Sequence, residues 1–250
     1  MLARHVAVDP QTGNLIIAEH GGGRIQVFDP SGKFITQWNT GNADIYIVDL
    51  DIDRQGNVYV IYSANIHVLN AETGQEIATI SEVGGNNAFF SNLATTDDSG
   101  FIAVSHGETL VRFNSDRTAE VLAPSAISSI SGDSELDAKI AVDGVGNIYL
   151  LGIFNNSVFK FDSQGKFVTR FGSAGEEKGQ FRAPHAIAVD NQSRVYVSDA
   201  KGLQVFEADG RYLDKFEVNG FVFGIDINDK NEIFTVANDQ KVSKFIMKVP

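Results

Sequence analysis

The feature that most constrains this 250-residue chain is an internal repeat. An apolar run that ends in Asp or Asn, followed by a polar turn and a second apolar run, begins at Val6-Ala7-Val8-Asp9. It returns at Leu50-Asp51-Ile52-Asp53, Ala94-Thr95-Thr96-Asp97, Ile140-Ala141-Val142-Asp143, Ile187-Ala188-Val189-Asp190 and Ile225-Asp226-Ile227-Asn228. The closing polar residues stand 44, 44, 46, 47 and 38 positions apart. A unit of that length buries its apolar faces by stacking on copies of itself, so the period points to one repetitive domain over residues 1–250.

Within each unit the strands are short and rich in β-branched and aromatic residues. The turn after the first strand, such as Arg54-Gln55-Gly56-Asn57, supplies the Gly and Asn of a tight hairpin. In the second unit a second strand follows at Val58-Tyr59-Val60-Ile61, a third at Ile66-His67-Val68-Leu69 and an outermost fourth at Glu76-Ile77-Ala78-Thr79-Ile80. Such runs are too short for helices, and no helical period of comparable length occurs. The pattern predicts an all-β, six-bladed β-propeller of four-stranded antiparallel blades, spanning about 5–40, 46–81, 89–122, 136–172, 183–217 and 221–250. The sixth unit has no turn or fourth strand after Phe245, so its blade is expected to lack the outer strand. That expectation extends to a chain tethered to other domains of a larger protein, one of which covers the edge. Lys241, Lys244 and Lys248 would blunt the edge with charge.

The segment Phe161-Asp162-Ser163-Gln164-Gly165-Lys166-Phe167, continued through Gly172, Gly175, Gly179-Gln180-Phe181 and Pro184-His185-Ala186-Ile187-Ala188-Val189-Asp190, resembles the NHL repeat nearly residue for residue. The run from Gly23-Arg24-Ile25-Gln26-Val27-Phe28-Asp29 to Phe34 is similar to the third-strand segment of the same family. Units one, four and five carry the resemblance strongly, two and six are degenerate, and three is weakest. The resemblance implies a propeller whose first strands line a central channel.

Charge and composition narrow the partners. Lys and Arg number 20 against 32 Asp and Glu, a net charge of −12 that repels polyanions, so nucleic acid is not expected. The acidic balance reads as solubility of an exposed β-protein. Without cysteine the chain has no disulfide, thiolate nucleophile or Cys-ligated metal, and it suits cytoplasmic and extracytoplasmic compartments alike. No leader-like segment and no apolar stretch near the roughly 20 residues of a spanning helix is present, so this segment is expected to be soluble and not to insert in a membrane.

In a propeller, the loops from second to third strand, and from fourth strand to the next blade, share one face with the beginnings of the inner strands. Concave mouths there converge side chains from several blades. The binding-face candidates are Arg4, His5, Glu19, His20, Asp49, Tyr62, Asn92, His106, Glu108, Lys139, His185 and Asp199. His5, His106 and His185 come from alternate blades and form the candidate imidazole set for a metal. Their registers disagree, since His5 stands four residues before Asp9, His185 five before Asp190, and His106 in a loop. Glu19, Asp49 and Asp199 form the oxygen-donor alternative for calcium or magnesium. No cofactor is expected, with a divalent metal in the channel as the alternative.

Ser105-His106-Gly107-Glu108 reads as a turn whose adjacent side chains point apart, without the strained Gly-x-Ser-x-Gly of a nucleophile elbow. Gly21-Gly22-Gly23 reads as a flexible loop tip that opens no anion-binding helix. The long segment from Ala123 to Asp137 is either a lid or a packed strap over the mouth. Lacking a convincing catalytic set, the chain is expected to be a non-catalytic scaffold that binds a protein, peptide or glycan through the mouth face. Related six-bladed propellers imply a metal-dependent lyase or lactonase-like alternative. RNA binding, known for some NHL propellers, is a minor alternative opposed by charge.

Overall fold

Five of the six blades open on a hairpin held by the Asp or Asn side chain just after the inner strand. Asp53 accepts the backbone N–H groups of Gln55 and Asn57 at 2.9 and 2.8 Å, and its second oxygen takes the amide of Asn57 and the buried Tyr59 hydroxyl. Asp143 does the same with Val145, Asn147 and Tyr149. Asp190 repeats it with Gln192, Arg194 and Tyr196. Several donors around one carboxylate offset the cost of burying its charge, which is why Asp recurs at this position.

In the third blade the hairpin is closed by Thr96, whose N–H reaches the Gly100 carbonyl. Asp97 lies one residue beyond and instead meets Arg54 at 3.0 Å. The structural repeat therefore runs through Asp9, Asp53, Thr96, Asp143, Asp190 and Asn228, and the sequence register of the third unit shifts by one.

The computed structural model, which describes residues 2–200 and 202–247, arranges these hairpins as a six-bladed propeller. Blade I comprises Leu2–Val8, Leu15–His20, Arg24–Phe28 and Phe34–Asn39. Blade II runs from Ile47–Ile52 to Glu76–Ile80, blade III from Phe90–Thr95 to Ala119–Ala123, blade IV from Ala138–Val142 to Phe167–Phe171, and blade V from Ala186–Val189 to Tyr212–Phe216. All five are four-stranded and antiparallel in simple order. Blade VI has three strands among the described residues, Val222–Ile227, Glu232–Ala237 and Val242–Ile246. Lys244 on its last strand is paired with Glu232 at 2.7 Å, while Lys248 lies outside the described residues, as do residues 1, 201, 249 and 250.

The core lies between blades. Ala7, Ile16 and Trp38 of blade I pack on Leu50, Val58 and Val60 of blade II. Val6, Val8, Leu15 and Ile17 pack on Phe234 and Val236, which closes the ring between blades VI and I. Blade I keeps its own inner strand, so this closure is made by side-chain packing and by a near approach of backbones. A Cβ on Gly224 would stand 2.6 Å from the Arg4 carbonyl oxygen, so glycine is required there. Two elements go beyond the expected pattern: a short hairpin of Glu82–Val83 with Asn86–Asn87, and a one-turn helix, Ser128–Ser131.

Candidate functional site at the channel mouth

The corrected register aligns the inner strands. Four residues before the hairpin-closing position stand His5, Asp49, Asn92, Lys139, Ala186 and Gly224, each paired at the same depth with its second strand. Two residues before it stand Ala7, Asp51, Ala94, Ala141, Ala188 and Asp226. An inner strand has a sheet neighbour on one side only, so N–H groups on its other edge need acceptors from elsewhere.

Side chains of the preceding blade supply them. Asp49 of blade II accepts Asn92 Nδ2 at 2.6 Å and the Leu93 N–H at 2.8 Å. Asn92 of blade III in turn accepts the Ile140 N–H of blade IV at 2.6 Å, and His5 Nδ1 of blade I lies 3.3 Å from Asp49. One polar chain thus links four consecutive blades. Deeper in the channel Asp51 accepts the N–H and hydroxyl of Thr95, and Asp226 accepts the Val8 N–H at 2.6 Å across the closing junction. Burial, reinforced by the charge of Asp226, pushes Asp51 up to about 7. Burial pushes Asp226 up to about 6 against the hydrogen bonds from Val8 and Ile227.

The channel encloses a cavity of about 250 Å³ whose mouth is lined by His5, Asp49, Asn92, Lys139, His185 and Phe223. Lys139 is paired with Asp137 at 2.7 Å. His185 sits edge-on between Phe221 and Phe223, with its Nδ1 buried and unpartnered, and burial with help from Lys139 lowers its pKa to about 4. The Arg4 guanidinium lies 4.1 Å over the Phe223 ring. His20 leans on Tyr46, and its pKa is lowered by burial and by Arg4.

The remaining candidates stand apart from this group. Glu19 binds Arg24 at 2.8 Å. Tyr62 is buried, stacks on His67 and reaches Glu76 with its hydroxyl, while burial raises it to about 12. Asp199 accepts the Arg182 N–H and the Gln204 amide. His106 is exposed and packs on Phe89. Glu19, Asp49 and Asp199 thus serve separate partners, and among the described residues no group of three or more His, Asp or Glu is arranged to hold a metal ion.

Two loop readings change, and a third is decided. Ser105 and His106 do meet, Oγ to Nδ1 at 2.8 Å, because His106 takes a positive φ of 51° that folds its ring back. Ser105 is 2% exposed and Glu108 is turned away, so the pair presents no nucleophile. Gly21 to Gly23 form a packed corner, not a flexible tip: Gly22 donates to the Ala43 carbonyl, and a Cβ on Gly23 would strike Thr40 and Asn42. The segment from Ala123 to Asp137 is the packed strap. Ala126 and Ile127 are buried, and Glu108 holds the N–H groups of Ile127 and Ser128. Glu135, itself 2% exposed, accepts those of Leu136, Asp137, Phe154 and Asn155.

Sequence reasoning missed the apolar rim. Tyr46, Phe89, Leu136 and Phe154 are 61, 59, 76 and 65% exposed, and all stand in mouth-side loops of blades II to IV. The available signal was an apolar residue in a polar mouth-side loop, just before an inner strand for Tyr46, Phe89 and Leu136 and between the second and third strands for Phe154.

No protein-family model matches the chain. The human NHL repeat-containing protein 3 is 26% identical over 220 residues, covering 83% of this chain. The chain spans about half the length of the curated relatives it matches, 53% and 54%. Among solved structures, a gluconolactonase from Xanthomonas campestris superposes with a TM-score of 0.73 at 14% identity, covering 94% of this chain and 83% of that one. Virginiamycin B lyase from Staphylococcus aureus gives 0.69 at 12% identity, covering 99% and 85%. At such identities these two share the fold alone. This chain is thus a six-bladed β-propeller whose repeats are similar in sequence to those of NHL repeat-containing protein 3.

Proposed function

We propose that this propeller is a non-catalytic scaffold that docks a protein or peptide on the channel-mouth face. The observation that carries this reading is the arc of Tyr46, Phe89, Leu136 and Phe154, large apolar side chains held exposed by three adjacent blades. Each is anchored by rigid surroundings: Phe89 against His106, Tyr46 against His20, and the loops of Leu136 and Phe154 by Glu135. Apolar anchors clustered on a stiff scaffold and rimmed by polar groups are the usual build of an interface. The polar chain His5, Asp49 and Asn92 supports the scaffold role, because Asp49 and Asn92 are spent on backbone N–H donors of neighbouring blades and His5 on Asp49.

The lyase or lactonase alternative rests on fold relatives, and its two candidate ligand sets are dispersed over separate partners. The test is a tagged chain used to isolate partners from its own source cells, with each partner quantified for variants. Tyr46→Ser/Phe89→Ser/Phe154→Ser should lower a specific partner about tenfold. Val145→Ser, which alters an exposed apolar residue of the opposite end, should leave it unchanged. Equal recovery with the triple variant would overturn the docking reading.

A further inference from the structure

The mouth collects polar atoms that the fold itself does not satisfy. Six buried side-chain atoms among the described residues have no hydrogen-bond partner, and four of them, Arg4 Nε, His20 Nδ1, Ser91 Oγ and His185 Nδ1, belong to residues at this end of the channel. Buried polar atoms are normally paired, so a cluster of orphans at one opening marks a place built for something that arrives there.

The charges at this end are also unequal. Four of its carboxylates are engaged: Asp49 by Asn92 and Leu93, Glu108 by the strap helix, Glu135 by four backbone donors, and Asp137 by Lys139. Lys139 is therefore neutralised. Arg4 is not, for its guanidinium lies over the face of Phe223 and has no ion pair among the described residues. In a molecule of net charge −12 this cation, with no ion pair among the described residues, stacks on Phe223, which lines a cavity of about 250 Å³. The two neighbouring imidazoles, His20 and His185, are held neutral by burial and by Arg4 and Lys139 respectively, so they add hydrogen-bonding capacity without charge.

We propose that the mouth binds a carboxylate borne on an apolar or aromatic group, the carboxylate held by the Arg4 guanidinium and its substituent lying against Phe221 and Phe223. A guanidinium stacked on an aromatic ring keeps its N–H edge in one plane, which matches the two oxygens of a carboxylate. The single Arg4 guanidinium at Phe223 suits a monoanion. A phosphate dianion would bring a second charge next to Asp49 with no further cation to meet it. The aromatic wall formed by Phe221 and Phe223, whose ring centroids are 5.4 Å apart, gives the ligand its apolar contact. The C-terminal residue of a peptide and an acidic aromatic metabolite share this chemistry. The inference rests on the docking reading in that it assigns the ligand chemistry of the same face.

Isothermal titration of the full chain tests it with three probes: N-acetyl-L-phenylalanine, its primary amide, and inorganic phosphate. The acid should bind about tenfold tighter than the amide and tighter than phosphate, and Arg4→Gln should remove about tenfold of that affinity. Lys139→Gln should cost less than about threefold, because Asp137 already neutralises that ammonium. If Arg4→Gln unfolds, as judged by its thermal midpoint, Arg4→Lys keeps the charge and removes the planar fork, and it too should weaken the acid severalfold. Equal binding of acid and amide, phosphate binding as tightly as the acid, or full affinity in a folded Arg4 variant would each overturn the proposal. To separate a free acid from a peptide terminus, the peptide Gly-Gly-Phe and its C-terminal amide are compared; binding of the single residue but not the peptide assigns the site to small acids. Failure of every acid while Tyr46→Ser/Phe89→Ser/Phe154→Ser still loses its partner would sink the carboxylate site and leave the docking face standing.

Discussion

At the turn end of the channel Asp53, Asp143 and Asp190 hold three hairpins with the same set of donors, down to a buried tyrosine hydroxyl each. At the mouth end the equivalent positions of the six blades read His5, Asp49, Asn92, Lys139, Ala186 and Gly224. The turn end is further tied across the ring by Arg54, which bonds Asp97 of blade III and Asp229 of blade VI at 3.0 and 2.9 Å. The mouth has an Arg4 with no ion pair among the described residues and an exposed apolar arc. Repetition at one end is what a stacked scaffold demands of every blade alike. Variation at the other, where no common structural task fixes the residue, is where a ligand can set the sequence.

The largest expected effect lies at the repetitive end. Asp53→Ala removes acceptors from two backbone N–H groups and leaves the Tyr59 hydroxyl buried without a partner, so urea unfolding should show a loss of about 3–5 kcal/mol. A loss below about 1 kcal/mol would break the contrast between the ends. Asp49→Ala tests the part of the mouth that serves the ring. Leaving Leu93 N–H and Asn92 unpaired should cost about 2–3 kcal/mol, and Asp49→Asn about half of that, since it keeps an acceptor.

Between the ends sit Asp51 and Asp226, whose raised pKa values, about 7 and about 6, give a signed prediction. The folded state holds these protons more tightly than the unfolded chain, so the two carboxyls favour folding at low pH and lose that contribution as pH rises toward 7. His185, lowered to about 4, acts in the opposite sense, which makes the difference between proteins the clean readout. From pH 5 to pH 7.5, Asp51→Asn/Asp226→Asn should gain about 5 °C in Tm relative to the parent. A constant gap would mean that the carboxyls titrate normally. The smallest effect belongs to the apolar arc: Tyr46→Ser/Phe89→Ser/Phe154→Ser should change stability by less than about 1 kcal/mol, because those side chains are mostly in water already.

The ring was legible because each repeat must spell its own strands and turns. Its one misregistration, Asp97 for Thr96, has a chemical cause: the search followed a carboxylate, whereas the fold closes that hairpin through backbone and lets Asp98 bond Thr96 from the turn. The same slip hid the alanine row in which Asp51 and Asp226 stand out. The site was less legible. Asp49 to Asn92 and Asn92 to Ile140 span 43 and 48 residues, about one repeat each, so that chain could be seen only once equivalent positions were aligned. The strap-holding contacts of Glu108, and Glu135 itself, escaped for another reason. Their partners lie 19 and 20 residues away in an irregular segment with no period to follow. Topology was enough to bring Arg4, His5, Lys139 and His185 to one end, whereas a strand end does not reveal which side a ring takes, and Tyr62 is buried against His67.

The central claim is that ligands meet this propeller at the mouth and not at the turn end. It is tested most directly by placing a photo-crosslinking amino acid, one position at a time, at Phe89 and Phe154 of the arc and at Val145 and Asp229 of the turn end, then irradiating in the source cells. The account predicts a discrete partner adduct from Phe89 and Phe154 and none from the other two. Equal or stronger adducts from Val145 and Asp229 would contradict it.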